Sequence, residues 1–290
     1  MKQLCIFTPT YNREHTLKRL YESLKKQTDS RFYWLVVDDG STDGTQSLFD
    51  SFAKESAIEI EYIKVANGGK QRACNLAAEK CTSELFMCVD SDDYLTPDAV
   101  HFILTAWKNA GDAIGIATPR SARNNQFPSN TTAKLSSLYS KYGYKGETCI
   151  ATLTSVIKSH PFYIAEGESF IPEVFQFDQI DHEYYHLLCN REICKGEYLT
   201  DGYTANYKRL LLNNPRSYAE YKKQCIEFSD TLIQRFKETI LYLMWSKIAG
   251  DSILFAFKKA KSVGAISPAI PFAAVLEPLF KKYMNRAPNH

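Results

Sequence analysis

The stretch "LFMCVDSDDYLTPDAV" (85–100) decides how the chain is to be read. An apolar run, 85–90, reads as a buried strand. It ends in Asp90, Ser91, Asp92 and Asp93. Thr96 is a candidate N-cap and Pro97 suits a first helical turn. Val100, Ile103, Leu104 and Trp107 then recur at the spacing of one helical face. Strand, acidic turn and helix in that order predict one unit of an α/β sheet, with its chemistry at the carboxyl end of the strand.

The pattern repeats upstream. "LCIFTP" (4–9), "FYWLVVDD" (32–39) and "IEIEYIKV" (58–65) read as further strands. Leu17, Leu20, Tyr21 and Leu24 mark a helix between the first two. Strands alternating with helices predict a mostly parallel sheet flanked by helices on both faces. Beyond residue 120 the pattern weakens. Residues 121–146, rich in Ser, Asn, Lys and Tyr, read as a long surface loop. "YYHLLCNREICKGEYL" (184–199) suggests two short strands about an Asn-Arg turn. From Tyr218 to about Ala260 apolar residues recur at helical spacing.

Composition bounds the rest. The 290 residues, 44% hydrophobic and 23% charged, suffice for one large domain, or one with an appendage. A formal net charge of +2 predicts no general attraction to nucleic acid. Eight cysteines include no C-x-x-C pair, which favours free thiols in a reducing cytoplasm over a disulfide framework. "MKQLCIFTPTYN" turns polar too soon for a signal peptide. "SVGAISPAIPFAAVLEPLF" (262–280), with three prolines and a glutamate, is a poor membrane span. It reads as a buried or docking tail, or with "KKYMNR" after it as a peripheral membrane contact.

The strand ends carry the chemistry. Three carboxylates within 90–93 repel one another, and a divalent cation relieves the conflict. All-oxygen ligands suit Mg²⁺ or Mn²⁺, shared with phosphates and water; a solvated turn at a helix N-terminus is the plain alternative. "DDGSTDG" (38–44) ends the second strand, where an ionised Asp can accept the imide N–H of uracil or thymine. "TPTYN" (8–12) offers a tyrosine ring to stack on a base. "NGGKQRACN" (67–75) supplies two glycines for close backbone approach, then Lys70 and Arg72 for diphosphate charge.

With "TPTYNR", "VVDDGSTDGT", "NGGKQRACNLA" and "VDSDDYLTPDA" in this order, the chain resembles the family 2 glycosyltransferases of GT-A fold that build bacterial capsule, exopolysaccharide and O-antigen. A looser likeness runs through "EGESFIPEVF" (166–175) and "EYLTDGYTANYKRLLLNNP" (197–215). The resemblance implies an inverting transfer from a nucleoside-diphosphate sugar, UDP above all, to a saccharide acceptor, lipid-linked in such systems. It implies that Tyr11 stacks on the pyrimidine, Asp39 binds the base, and Asp90 holds the ribose or helps place the metal. Asp92 would coordinate the cation; Pro9, Lys70 and Ser91 would line the nucleotide site. The general base would be an acid ahead of a helix: Glu173, after Pro172, is favoured over Glu166, Glu168 and Asp178. The family often has Glu-Asp there, whereas Val174 follows Glu173 here. The expected organisation is a glycosyltransferase domain over 1–215, its nucleotide-sugar half 1–120 and acceptor half 121–215, then a helical extension over 216–290.

Two rival readings remain. A non-catalytic nucleotide-sugar-binding protein would keep the pocket without a working base. "HEYYH" (182–186) matches the His-Glu-x-x-His spacing of zinc hydrolases. That needs a helix, where His182 and His186 would stand about 6 Å apart; on a strand they would be separated by roughly 13 Å. The residues 184–189 favour a strand.

Overall fold

The computed structural model describes residues 2–120, 126–196 and 206–284. These fall into two compact units, 1–161 with 176–199, and 162–175 with 200–290.

The first unit is built on a ten-stranded sheet. In chain order its strands are β1 (Leu4–Thr10), β2 (Phe32–Asp38), β3 (Ile60–Lys64), β4 (Leu85–Cys88), β5 (Asp93–Leu95), β6 (Gly115–Arg120), β7 (Thr131–Ala133), β8 (Glu147–Leu153), β9 (His186–Leu188) and β10 (Cys194–Gly196). The main path runs β3-β2-β1-β4-β8-β6-β10-β5. The first four strands are parallel. β8 enters antiparallel to both β4 and β6, so the sheet as a whole is mixed.

β1 and β2 are buried along their whole lengths, which explains their continuous apolar runs. Their period of two sorts the core into two layers. Leu4, Ile6, Trp34 and Val36 pack with Leu17, Leu20 and Leu24 of α1 (Glu14–Lys25), Phe49 and Phe52 of α2 (Thr45–Glu55), and Val100, Ile103 and Leu104. Cys5, Phe7, Leu35 and Val37 pack on the other face with Ala73 and Ala77 of α3 (Lys70–Lys80). The predicted helix after the acidic turn is α4 (Ala99–Lys108). It starts later than expected. Residues 93–95 form β5 against β10, and the Thr96 hydroxyl bonds the Asp98 side chain at 3.1 Å instead of capping the helix.

Residues 126–146 are not the expected loop. They hold β7 and α5 (Ser136–Ser140), and Phe127, Leu135, Leu138 and Tyr144 bury themselves with Ala117 and Leu188. The two strands expected in 184–199 exist as β9 and β10, but they are not each other's partners. Both lie parallel along β6, opposite residues 116–117 and 120 in turn. α6 (Thr154–Ser159) and α7 (Val174–Glu183) complete the succession before β9.

The second unit is helical: α8 (Tyr207–Asn213), α9 (Pro215–Glu227), α10 (Leu232–Ile248), α11 (Ile253–Ala260) and α12 (Ala269–Met284). Their core gathers Leu243, Trp245, Ala256, Ala260 and Ala273. The segment 162–175 belongs here. Glu168 accepts the N–H groups of Arg216 and Ser217 at 2.8 and 2.7 Å, and Asn214 accepts those of Ser169 and Phe170. Both contacts fasten the segment to the start of α9, and Glu168 satisfies orphan donors there.

Candidate active site

The chain leaves β1 outward to β2 and β3, then returns through α3 to β4 on the other side of β1. The gap between β1 and β4 is therefore a topological switch point, where open α/β sheets bind ligands. β1 and β4 stay in register only as far as Phe7 and Cys88, with the Val89 N–H donating to the Phe7 carbonyl at 2.8 Å. Pro9, two residues on, has its missing N–H on that same side. The strands thus part without leaving an unpaired donor at the opening.

Side chains from successive strand ends lock the rim together. Asn12 is left-handed (φ 53°). Its N–H donates to Ser41 Oγ at 2.8 Å, and its Oδ1 accepts the Thr42 N–H at 2.8 Å. This short polar side chain tolerates that backbone shape. Tyr11, just before it, stands 48% exposed, its ring open to a stacking partner.

The two acids closing β2 divide their work. Asp38 is fully buried, accepting the Ser41 N–H at 2.8 Å and the Tyr62 hydroxyl. Asp39 accepts the Gly68 and Gly69 N–H groups at 2.7 and 2.8 Å, one on each oxygen. Burial pushes the Asp39 carboxyl up, and the two glycine N–H groups pull it back. Each oxygen keeps a lone pair for a further donor. Gly69 has φ 94°, a conformation that a side chain would strain.

Lys70 opens α3, and its ammonium meets Asp90 Oδ1 at 2.6 Å. Burial raises the Asp90 carboxyl, but Lys70 outweighs it and holds the group below its usual value. Asp93 is buried and paired with Arg120 Nη2 at 2.5 Å, and the Cys194 thiol lies 3.5 Å from its other oxygen. Burial still pushes Asp93 up to about 6, against the pull of Arg120. Asp92 differs. Among the described residues no cation pairs with its carboxylate, which burial and the neighbouring Asp90 charge push upward. Its backbone carbonyl is held by Arg19 Nη2 at 2.5 Å. Ser91, between them, is buried.

The structure thus brings Pro9, Tyr11, Asp39, Lys70, Asp90, Ser91 and Asp92 to one edge of one sheet. Glu173 lies in the other unit, exposed, immediately before α7; the Phe175 N–H donates to the Pro172 carbonyl at 2.9 Å. Sequence reasoning missed Asn12, Arg19 and Arg120. Their partners lie 27 or more residues away, a separation no local pattern reports.

Among the described residues no group of three or more His, Cys, Asp or Glu is arranged to hold a metal by itself. The acidic turn does fit a cation shared with a ligand: it is all-oxygen, and among the described residues Asp92 makes no ion pair, with Arg120 and Arg13 acting on it only from a distance. "HEYYH" fits none. α7 ends at Glu183 and β9 begins at His186, so the two histidines never share a helix face. His182 is exposed, whereas His186 is fully buried with Nε2 3.1 Å from the Thr152 hydroxyl.

Residues 5–163 match the family model described as "Glycosyl transferase family 2". The chain belongs to glycosyl transferase family 2. Among curated relatives, a teichoic acid poly(glycerol phosphate) polymerase of Staphylococcus epidermidis is 34% identical over 115 residues, 39% of this chain and 16% of that one. The hyaluronan synthase of Streptococcus pyogenes is 28% identical over 178 residues, 58% of this chain and 42% of that one. The chain thus spans less than half the length of either relative. Among solved structures, Staphylococcus aureus TarS residues 1–349 with UDP-GlcNAc has a TM-score of 0.57 at 15% identity, covering 97% of this chain and 92% of that one. A Pyrobaculum calidifontis mannosyltransferase with GDP-Man and Mn²⁺ has a TM-score of 0.57 at 15% identity, covering 97% and 83%. These likenesses agree on the GT-A fold, with helices around the sheet and further helices after it.

Proposed function

We propose that this family 2 chain is an inverting glycosyltransferase that moves a sugar from a nucleoside-diphosphate donor to a saccharide acceptor. The observation that supports it most is the gathering of Asp39, Lys70, Asp90 and Asp92 at the β1–β4 switch point, with hydrogen bonds joining the segments that follow β2, β3 and β4. A uracil imide can donate to the remaining lone pairs of Asp39, which favours UDP. The TarS neighbour carries UDP-GlcNAc. Tyr11 stacks on the base, and Asp90, steadied by Lys70, accepts from the ribose. Pro9 and Ser91 shape the walls.

Asp92 would hold a divalent cation, as Mn²⁺ accompanies the nucleotide sugar in the mannosyltransferase neighbour. When bound, such an ion neutralises the diphosphate and the departing charge. Glu173 is assigned as the base that takes the acceptor hydroxyl proton during in-line attack on the anomeric carbon. Of its rivals, Glu168 is buried, with each oxygen accepting an N–H at the start of α9. Residues 1–120 would then be the nucleotide-sugar half, 121–215 the acceptor half and 216–290 an extension. A lipid-linked saccharide in bacterial surface polysaccharide synthesis is the acceptor proposed.

A panel of nucleotide sugars assayed for Mn²⁺-dependent hydrolysis and transfer tests this reading. A UDP-sugar should be turned over, and Asp92→Ala should lose metal-dependent UDP binding by calorimetry. Normal nucleotide binding without turnover of any donor would assign a binding protein instead. Unchanged UDP affinity in Asp92→Ala would overturn the metal assignment.

A further inference from the structure

Helix α12 carries apolar side chains outward as well as into the core. Its single acid, Glu277, is buried and paired with Lys247 at 3.0 Å. Phe272, Val275, Leu276, Leu279 and Tyr283 are turned outward, Val275 at 70% and Leu279 at 66% exposure. These positions recur every three or four residues, so they form one stripe. Ile240, Leu241 and Met244 of α10 extend it into an apolar groove of about 520 Å³ shared with Leu276, Leu279 and Phe280. At the start of α10, Leu232 and Ile233 are also exposed, one turn before Phe236, whose ring meets that of Phe272 at 5.4 Å. An apolar surface of this kind on a helical unit is a docking face.

The charge around it selects the occupant. Lys237 lines the groove, and Lys208 lies 4.5 Å over the Tyr283 ring. Lys281 and Lys282 are the exposed charges of α12. From 252 to 290 the chain carries six Lys or Arg and one acid, Glu277. A twofold pairing of copies through this face would bring two equally basic patches together, which opposes self-association. Apolar side chains fringed by ammonium groups on long stems instead match an anionic lipid surface. No helix among the described residues is long and apolar enough to cross a membrane, so the contact is one of lying on the surface.

We propose that the outward face of α12, with the adjoining side of α10, binds the surface of a membrane containing anionic lipid. Val275, Leu276 and Leu279 enter the acyl boundary, and Lys237, Lys281 and Lys282 meet the headgroups. This does not depend on the nucleotide site.

The test is flotation of the purified chain with vesicles of phosphatidylcholine alone, or of equal parts phosphatidylcholine and phosphatidylglycerol. Binding is expected to the mixed vesicles, weaker to the neutral ones, and falling with salt. Val275→Glu with Leu279→Glu should lower partitioning by tenfold or more, since two apolar side chains lose their burial. Both positions are solvent-exposed, so the fold should survive, as checked by an unchanged melting profile. Lys281→Glu with Lys282→Glu, a second and fully polar change, should remove the preference for phosphatidylglycerol, each lost lysine costing about fivefold. No binding to mixed vesicles, or binding that both pairs of substitutions leave intact, overturns the proposal. So does a concentration-dependent dimer that the Val275/Leu279 pair abolishes while vesicles remain unbound.

Discussion

His186 offers the sharpest quantitative test, because its environment predicts both a sign and a size. The imidazole is fully buried, its Nε2 beside the Thr152 hydroxyl and its Nδ1 without a hydrogen-bond partner among the described residues. Burial pushes its pKa from 6.5 down to about 4, with Asp181 pulling weakly the other way. In the unfolded chain the group titrates normally, so between about pH 6.5 and 4 the unfolded state binds one more proton than the folded one. Stability is therefore full above 6.5, falls as pH drops through that window, and changes no further on this account below 4. At 1.36 kcal/mol per unit, the full loss reaches about 3 kcal/mol or slightly more.

His186→Gln keeps a side-chain polar group toward Thr152 but cannot titrate. Urea denaturation of both proteins at steps from pH 7 to 4.5 should show a wild-type decline steeper than the variant's by roughly one proton per molecule. Parallel declines would refute the reasoning, as would an imidazole of His186 titrating near 6.5 by NMR. Zinc provides a second readout: a zinc-dependent rise in melting temperature that vanishes in His186→Gln would restore the metal reading of "HEYYH".

The remaining predictions concern the site and the packing that positions it. Asp39→Asn turns an amide toward Gly68 or Gly69, whose N–H groups the carboxylate now accepts; UDP affinity by calorimetry should fall by about 1–3 kcal/mol, and an unchanged value would remove Asp39 from the base pocket. Glu168→Ala should cost about 1–2 kcal/mol in denaturant unfolding through loss of the α9 cap while leaving UDP binding intact; normal stability with abolished transfer would make Glu168 the base. Gly115→Ala would put a methyl 2.2 Å from the Ala151 carbonyl oxygen, so a loss of about 1–3 kcal/mol is expected, and a neutral result would contradict the β6–β8 packing.

What the sequence made legible was whatever is local. β1, β2 and β4 are buried on both faces, so each appears as an unbroken apolar word ending in the residues that reach the ligand side. The strand-end placement of Asp39 and Lys70 was legible because Asp39 directly follows an apolar run and Lys70 follows a Gly-Gly turn into a helix. The rest depends on distant partners. β5 exists only because Asp93–Leu95 meets Cys194–Gly196, a hundred residues on, and a local signal for a helix cap at Thr96 could not compete with that pairing. Phe127, Leu135, Leu138 and Tyr144 are too widely spaced to show any period, yet they close one cluster over Leu188. "HEYYH" matches a metal motif only by spacing: such a rule assumes a single element, and this one crosses from α7 into β9, as the strand-favouring residues 184–189 indicate.

The acidic turn gains its meaning from how its charges are divided. Three aspartates within four residues could have been neutralised alike, but two are matched from within the unit. Asp90 meets Lys70, and Asp93 meets Arg120. The second pair is structural. A Cβ on Gly196 would stand 1.8 Å from Asp93 Oδ1, so the strand beside it must come close for the pair to form. The first pair lies at the cleft, with the Asp90 side chain still 43% exposed. Asp92 is left without an ion pair among the described residues, its charge opposed by burial and by Asp90 more than Arg120 and Arg13 favour it. On the proposed function, a rim that ion-pairs two of three carboxylates and leaves the middle one would be completed by a cation arriving with a diphosphate. Such an arrangement couples the two: without the ion, the donor's charge would meet Asp92 unscreened, and without the donor, one or two carboxylates hold the ion weakly. UDP affinity should therefore rise steeply with Mn²⁺ in the native chain and lose that dependence in Asp92→Ala, whereas Asp93→Asn should cost stability and leave the metal dependence in place.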